Sequence, residues 1–157
     1  MEEKKEPFIW IHDFSEKSLV NFFVQFTDLE SDPSVKIIVI YISSYGGSVY
    51  NAMAMRDLIK ESSKPVATIA LGKCMSAGVY LLCSGTKGFR FCSSSCALMI
   101  HEVSSAVEGK TTEMVREIID LKQLNKIFLT HMAEDMGKQY KDLETLLNKN
   151  KNCDIYL

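Results

Sequence analysis

Residues 35–42 constrain the fold of this chain most strongly, because their sequence, VKIIVIYI, is apolar almost without interruption. A strand with one face in water alternates apolar and polar side chains, whereas a strand covered on both faces is apolar nearly throughout. Isoleucine and valine also favour the extended backbone of a strand. The segment therefore predicts an interior strand of a parallel sheet that carries helices on both sides.

Strand-like and helix-like patterns alternate along the rest of the chain. In chain order, the predicted strands are residues 8–11, 35–42, 66–70, 89–92 and 97–100. The predicted helices are residues 15–29, 49–59, 76–83, 111–136 and 138–147. Because this alternation implies right-handed crossovers around a mainly parallel sheet, the sequence predicts a single α/β domain over residues 1–157.

The composition argues against several classes of function. Apolar residues make up 46% of the chain and charged residues 24%, as in an ordinary globular protein. The formal net charge of −2 and the absence of a basic run give no reason to expect nucleic acid or an anionic membrane as the main partner. No apolar run approaches the ~20 residues that cross a bilayer. We therefore expect a cytoplasmic protein that has neither nucleic acid nor membrane as a partner.

The five cysteines do not predict a metal centre. They are Cys74, Cys83, Cys92, Cys96 and Cys153, and no C-x-x-C pair or ligand-spaced histidine occurs among them. Reduced thiols in a cytoplasm are the simplest state, although Cys92 and Cys96 are spaced to form a disulfide in an oxidising compartment. Neither a metal nor an organic cofactor is expected.

Two predicted turns lie where parallel sheets carry their functional groups, between the end of a strand and the start of a helix. Gly46 and Gly47 follow the strand of residues 35–42, and residues 72–78 follow the next strand and contain Ser76. Both turns present backbone N–H groups at a helix N-terminus, which favours developing negative charge. The residues alone are compatible with two roles for Ser76, a helix-capping serine or a nucleophile.

A serine nucleophile needs a neighbouring base, and the chain has three histidines. His101 follows the strand of residues 97–100, so it is expected on the same rim of the sheet as Ser76. His131 falls on a long charged helix and is expected at the surface, and His12 has no evident partner. His101 is therefore the candidate general base, with a purely structural histidine as the alternative.

Three segments together resemble the ClpP family of ATP-dependent serine peptidases. They are residues 42–49 (ISSYGGSV), 72–78 (GKCMSAG) and 98–102 (LMIHE). The family is similar in its serine-proline-glycine-glycine turn, its serine turn before a buried helix and its Met-Ile-His strand end. The likeness runs from about Phe8 to the last residue. It implies a ClpP/crotonase-like fold, in which the long helix from Thr111 is the handle that interleaves two rings.

The resemblance implies roles for five residues. Ser76 matches the nucleophile and His101 matches the general base. The backbone N–H groups of Gly47 and Ala77 match the oxyanion hole, in which losing one donor costs ~3 kcal/mol of transition-state stabilisation. The final segment of the chain resembles the one that carries the third triad member, so Asp154 is expected to orient His101.

The sequence departs from the family pattern near these residues. Tyr45 stands where the family has proline, and Ala77 replaces a methionine that is common after the nucleophile. Neither change removes a backbone donor. Glu102 follows His101 where glutamine is usual, and it is expected to raise the basicity of the histidine or to alter how the substrate strand docks. The interval from His101 to Asp154 is longer than usual, which predicts a small insertion.

The resemblance implies a serine endopeptidase subunit that cleaves unfolded polypeptides or short peptides inside a ring-shaped homo-oligomer. It also implies an AAA+ unfoldase as the partner that feeds the ring. Two alternatives stay open. One is a catalytically silent ClpP-like subunit with a structural or partner-binding role, which failure of Ser76 to react with a serine-directed probe would favour. The other is a crotonase-like acyl-CoA enzyme, which would not need Ser76 and His101 together.

Overall fold

A computed structural model of the chain describes residues 8–106, 108–149 and 155–156. The chain divides into two compact units, the first comprising Met1–Met99 with Tyr156–Leu157 and the second Ile100–Ile155. The first unit contains the parallel sheet and its helices, and the second is mainly helical.

Strands and helices alternate as the sequence predicts. The strands are β1 (Phe8–Ile11), β2 (Ile38–Ser44), β3 (Val66–Met75), β4 (Arg90–Cys92), β5 (Ala97–Ile100) and β6 (Ile155–Tyr156). The helices are α1 (Glu16–Ser31), α2 (Val49–Glu61), α3 (Ala77–Ser84), α4 (Thr111–Met136) and α5 (Tyr140–Lys149). The expected α/β class with flanking helices and one long helix is confirmed.

The sheet is organised around β3, and the pairings of β1 to β5 are parallel. β1 pairs with β2, and β2 pairs with β3. On its other side β3 pairs first with β4, through Thr68 to Ala70, and then with β5, through Lys73 to Met75. The mainly parallel sheet is therefore confirmed. Its central strand, β3, has 10 residues and pairs with β2 on one side and with both β4 and β5 on the other.

The strand β2 is an interior strand, but its two faces are covered unequally. Ile38, Ile40 and Ile42 are fully buried, whereas the residues between them are half-buried. The half-covered face carries aromatic rings, with the Tyr41 ring centroid 5.4 Å from that of Phe8. The expected cover is therefore complete on one face of β2 and partial on the other.

The helix α1 buries less of its apolar surface than its sequence suggests. Ser15 caps it, accepting a hydrogen bond from the Ser18 N–H, and it ends at Ser31. Phe22 is fully buried, but the neighbouring Phe23 is 51% exposed. Phe23 and the other apolar residues on that side line an apolar groove of about 550 Å³ between α1 and α2. The apolar face of α1 is therefore wider than the part of it that is buried.

The helix α4 has the predicted bounds, and Gly137, whose left-handed backbone has φ 68°, caps its C-terminal end. Its buried residues are Phe128, Leu129, Met132 and Ala133, all in the C-terminal half.

Among the residues that the structure describes, no helix combines the length and the apolar content needed to cross a membrane.

Candidate active site

Ser76 occupies a one-residue turn between the last residue of β3 and the first residue of α3. Its backbone has φ 51° and ψ −117°, and among the described residues it alone has a positive φ without being glycine. A conformation of this kind costs of order 1–3 kcal/mol, so the surrounding structure must hold it in place. Strained strand-to-helix turns of this type expose a serine hydroxyl at the edge of a sheet.

Two backbone hydrogen bonds hold the turn. The Ser76 N–H donates to the Met99 carbonyl of β5 at 2.8 Å, and the Ser76 carbonyl accepts from the Tyr80 N–H at 3.2 Å. The Ser76 side chain makes no capping hydrogen bond to α3. The Ser76 hydroxyl therefore does not cap α3, and of the structural roles that the sequence allows only packing is left.

The position of Ser76 depends on β3 being longer than its apolar pattern predicts. Residues 72–78 are expected to form a turn, but β3 continues to Met75. The reason is tertiary, because the second half of β3 pairs with β5. Ile42 pairs with Ala70 whereas Ser44 pairs with Cys74, so β3 bulges where Gly72 has φ 66°.

The Gly46-Gly47 turn packs directly against Ser76. Both glycines have positive φ, 107° for Gly46 and 150° for Gly47. A Cβ at Gly46 would lie 2.9 Å from the Ser76 Cβ and 3.0 Å from the Met75 carbonyl oxygen, which leaves no space for a side chain. The Gly46 N–H donates to the Ser44 Oγ at 3.0 Å. The two turns expected at the strand ends are therefore adjacent.

The Gly46-Gly47 turn also lies close to the first residue of α3. The Ala77 nitrogen lies 3.3 Å from where a Gly46 Cβ would stand. Ala77 opens α3, and N–H groups in the first turn of a helix have no acceptor within the helix. Gly47 is fixed on its other side by a parallel bridge to Phe14. The two residues expected to supply oxyanion donors, Gly47 and Ala77, therefore lie on neighbouring segments.

His101 follows β5 and belongs to the second unit, Ile100–Ile155. Its side chain is half-buried. Two residues further on, the Val103 N–H donates to the Asn125 Oδ1 at 2.9 Å, which fixes the segment after His101 to α4. The other two histidines are arranged differently, since His12 lies 3.5 Å from Asp13 and His131 is on α4 as expected.

Glu102 acts on a neighbour within the second unit. The Tyr140 hydroxyl donates to the Glu144 Oε1 at 2.9 Å. This hydrogen bond, together with burial and the charges of Glu144 and Glu102, raises the pKa of Tyr140. The expected influence of Glu102 on His101 or on the docking of substrate stays a prediction.

Asp154, the expected third member of the triad, lies outside the described residues. The catalytic roles of Ser76 and His101 and the oxyanion roles of Gly47 and Ala77 likewise stay predictions. Among the described residues, no group of three or more histidine, cysteine, aspartate or glutamate side chains could hold a metal ion.

The cysteines in this part of the chain differ in how deeply they are buried. Burial raises the pKa of Cys74 far above its usual range, and the nearby Cys96, Cys83 and Cys92 add to the shift. The Cys74 Sγ lies 3.3 Å from where a Gly78 Cβ would stand, so the thiol fills space beside α3. Cys74 is thus a core residue, whereas Cys92 is exposed.

Sequence reasoning missed one residue at this site. The Lys73 Nζ lies 3.8 Å from the centroid of the Tyr45 ring, within cation–π range. Tyr45 directly precedes the Gly46-Gly47 turn, and Lys73 lies on the bulged part of β3. No sequence signal identifies this pair, because the two residues are far apart in the chain and meet only through the pairing of β2 with β3.

A mainly parallel sheet whose central strand ends in a strained serine turn, against which a Gly-Gly turn packs, defines a protein of the ClpP/crotonase-like fold. A family model described as Clp protease matches residues 5–154. The chain belongs to the Clp protease family.

A plant protein illustrates the relationship. The ATP-dependent Clp protease proteolytic subunit 3, chloroplastic, of Arabidopsis thaliana is 36% identical over 126 residues. That match covers 76% of this chain and 41% of the relative. The chain therefore spans less than half the length of the curated relative that it matches.

Proposed function

We propose that this chain is a serine endopeptidase subunit whose nucleophile is Ser76. The observation that carries the proposal is the strained turn at Ser76, which packs so closely on Gly46 that a Cβ there would lie 2.9 Å from the Ser76 Cβ. A serine that does not cap its helix and yet is held in a costly backbone conformation needs a functional reason. Family membership supports peptide hydrolysis as that reason.

The proposed reaction follows the serine peptidase scheme. The Ser76 Oγ forms a bond to the carbonyl carbon of the peptide while His101 takes the hydroxyl proton. The carbonyl oxygen becomes an oxyanion that accepts hydrogen bonds from the Gly47 and Ala77 N–H groups. The C–N bond then breaks, and His101 returns the proton to the leaving amine.

The second half of the reaction uses the same groups. His101 takes a proton from water, whose oxygen attacks the acyl-serine, and the ester bond to Ser76 breaks. His101 then returns the proton to the Ser76 Oγ. Asp154 accepts a hydrogen bond from the imidazole and holds it in the tautomer that this exchange requires. All the proton transfers are between protein groups, substrate and water.

We further propose that the chain works in a ring of identical copies, in the cytoplasm, on unfolded polypeptides or short peptides. The support comes from α4, whose N-terminal half exposes Val115, Ile118 and Ile119. A row of apolar side chains on a long helix is stabilised when a second copy covers it. An AAA+ unfoldase as the partner of the ring belongs to the same proposal.

The test of the peptidase assignment is labelling with a fluorophosphonate probe at neutral pH. We expect covalent labelling of the wild type at Ser76, no labelling of Ser76→Ala, and a rate about 10²–10⁴-fold lower for His101→Ala, which removes the base. Ser94→Ala and His131→Ala are matched controls, in an exposed loop and on α4, and should label like the wild type.

A negative result is equally informative. If the assembled wild type stays unlabelled, the peptidase proposal fails and a catalytically silent ring subunit becomes the better assignment. If Ser76→Ala still labels, another serine is the nucleophile, and mass spectrometry of the labelled peptide identifies it.

A further inference from the structure

Lys73 and Tyr45 form a contact that joins the residue before the Gly46-Gly47 turn to the strand that leads to Ser76. The Lys73 Nζ lies 3.8 Å from the Tyr45 ring centroid, well inside the ~6 Å limit of a cation–π interaction. Tyr45 follows the last residue of β2 and directly precedes Gly46. Lys73 lies three residues before Ser76 on β3.

The two partners differ in how firmly the backbone holds them. Lys73 pairs with Ala97 in the ladder between β3 and β5, so its backbone is part of the sheet. Tyr45 lies outside any strand, and its side chain is 69% exposed. The contact therefore anchors a residue of the turn to a residue of the central strand.

The turn has a specific need for such an anchor. Gly46 and Gly47 follow Tyr45, and consecutive glycines give a backbone its greatest conformational freedom. A proline at position 45 would restrict the turn by fixing φ, but tyrosine has no such restraint. The Ser44 Oγ holds the Gly46 N–H, and the Lys73 contact adds a restraint from the side chain of Tyr45.

We propose that Lys73 and Tyr45 are positioning residues that order the Gly46-Gly47 turn and so aim the Gly47 N–H at the reacting carbonyl. The effect on rate rests on the proposed function. The ordering of the turn does not, because it concerns only the free protein. Neither side chain is assigned a contact with substrate.

The ordering is tested by hydrogen exchange, followed by mass spectrometry on peptides that cover residues 44–48. We expect Lys73→Met and Tyr45→Leu each to accelerate exchange there about two- to fivefold, the factor that corresponds to an exposed cation–π contact. The double variant should exchange no faster than either single variant, because one contact is lost in all three. Lys87→Met, an exposed lysine elsewhere in the same unit, is the control and should leave this segment unchanged.

Conservative replacements separate a specific contact from general loosening. Lys73→Arg keeps the cation and Tyr45→Phe keeps the ring, so both should retain the protection of the wild type. Tyr45→Pro in the Lys73→Met background removes the ring but fixes φ, and it should restore protection. Unchanged exchange in both Lys73→Met and Tyr45→Leu would overturn the inference.

Peptidase kinetics then measure the consequence for catalysis. We expect kcat on a short peptide to fall about two- to fivefold in Lys73→Met, with KM unchanged, because a misaimed donor weakens the transition state and not substrate binding. If exchange responds but even the wild type fails to react with the probe, the ordering stands and the peptidase proposal fails. If the wild type reacts and exchange does not respond, the peptidase proposal stands and this inference fails.

Discussion

Adding a methyl group at Gly46 is a direct test of the close packing between the Gly46-Gly47 turn and Ser76. A Cβ there would lie 2.9 Å from the Ser76 Cβ, so we expect Gly46→Ala to displace the serine turn. A displacement near 1 Å lowers a reaction rate by about 10²-fold. The measurement is the rate of fluorophosphonate labelling, taken together with the free energy of unfolding.

Gly88 supplies the matched control. It also has a positive φ, 90°, but a Cβ placed there would meet nothing within 4 Å. Gly46→Ala and Gly88→Ala should therefore each carry a backbone penalty on the order of 1–3 kcal/mol, and only Gly46→Ala should lose reactivity. Equal labelling of the two variants would contradict the close packing of the Gly46-Gly47 turn on Ser76.

The cysteines give a second prediction at this scale. Burial raises the pKa of Cys74, and a thiol without thiolate character does not react with iodoacetamide. Cys92 is exposed, so we expect its peptide to be alkylated in the folded protein while that of Cys74 reacts only after unfolding in urea. Peptide mapping by mass spectrometry follows each thiol separately. Alkylation of Cys74 at the rate of Cys92 would show that this part of the core opens readily.

The limit of sequence reasoning is clear at single residues. The two turns and the serine between strand and helix follow from local pattern, because glycine and small apolar residues mark such positions. Whether Ser76 caps α3 does not follow, since its backbone conformation depends on the hydrogen bond to Met99 of another strand. The contact of Lys73 with Tyr45 depends on strand register in the same way.

At the scale of elements, local pattern predicts a strand or a helix well and its burial less well. β3 continues past Gly72 because it pairs there with β5. The sequence of residues 71–75 does not by itself predict this pairing. Phe23 has the spacing of a core residue on α1, yet it is 51% exposed. Helical periodicity identifies an apolar face, but the packing of α1 on α2 decides how much of it is covered.

The end of α1 is joined to the end of α2 by one carboxylate. The Glu30 Oε2 accepts from the Ser62 Oγ at 2.6 Å, and its Oε1 accepts from the Ser63 N–H at 2.9 Å. Burial raises the pKa of Glu30, but the hydrogen bonds from Ser62 and Ser63 outweigh it and hold that pKa below its usual value. We expect Glu30→Gln to lower the free energy of unfolding at pH 7 by about 1 kcal/mol.

The direction of the Glu30 pKa shift predicts how the stability difference changes with pH. Because the folded state lowers the pKa of Glu30, its ionised form adds stability above the unfolded pKa of about 4.3, and that stability is lost as pH falls through the folded value. The difference between wild type and Glu30→Gln in urea unfolding should therefore be full at pH 7 and shrink below about pH 4. Glu117→Gln, an exposed change on α4, should show no such difference. A constant difference at every pH would mean that shape, not charge, sets the cost.

At the scale of the whole molecule, the alternation of strands and helices predicts the α/β fold, because each parallel crossover needs a helix. The surface that one copy leaves uncovered is harder to predict. Apolar residues recur along the whole of α4, but the buried ones are confined to its C-terminal half. A sequence pattern records which residues avoid water, and it does not say whether the cover comes from the same chain or from another copy.

The exposed half of α4 therefore carries the last prediction, which tests the proposed assembly. We expect Ile118→Asp to shift the protein towards smaller species in sedimentation velocity, while circular dichroism stays that of the wild type, because Ile118 is 41% exposed within its own chain. Covering the exposed part of this side chain contributes about 1 kcal/mol, and a carboxylate buried there without a partner costs several kcal/mol more, so association should weaken at least about tenfold. Gln123→Asp places the same charge on an exposed polar position of α4 and should leave the assembly intact. A wild type that stays monomeric at every concentration would refute the ring, and an Ile118→Asp variant that assembles like the wild type would move the interface away from this half of α4.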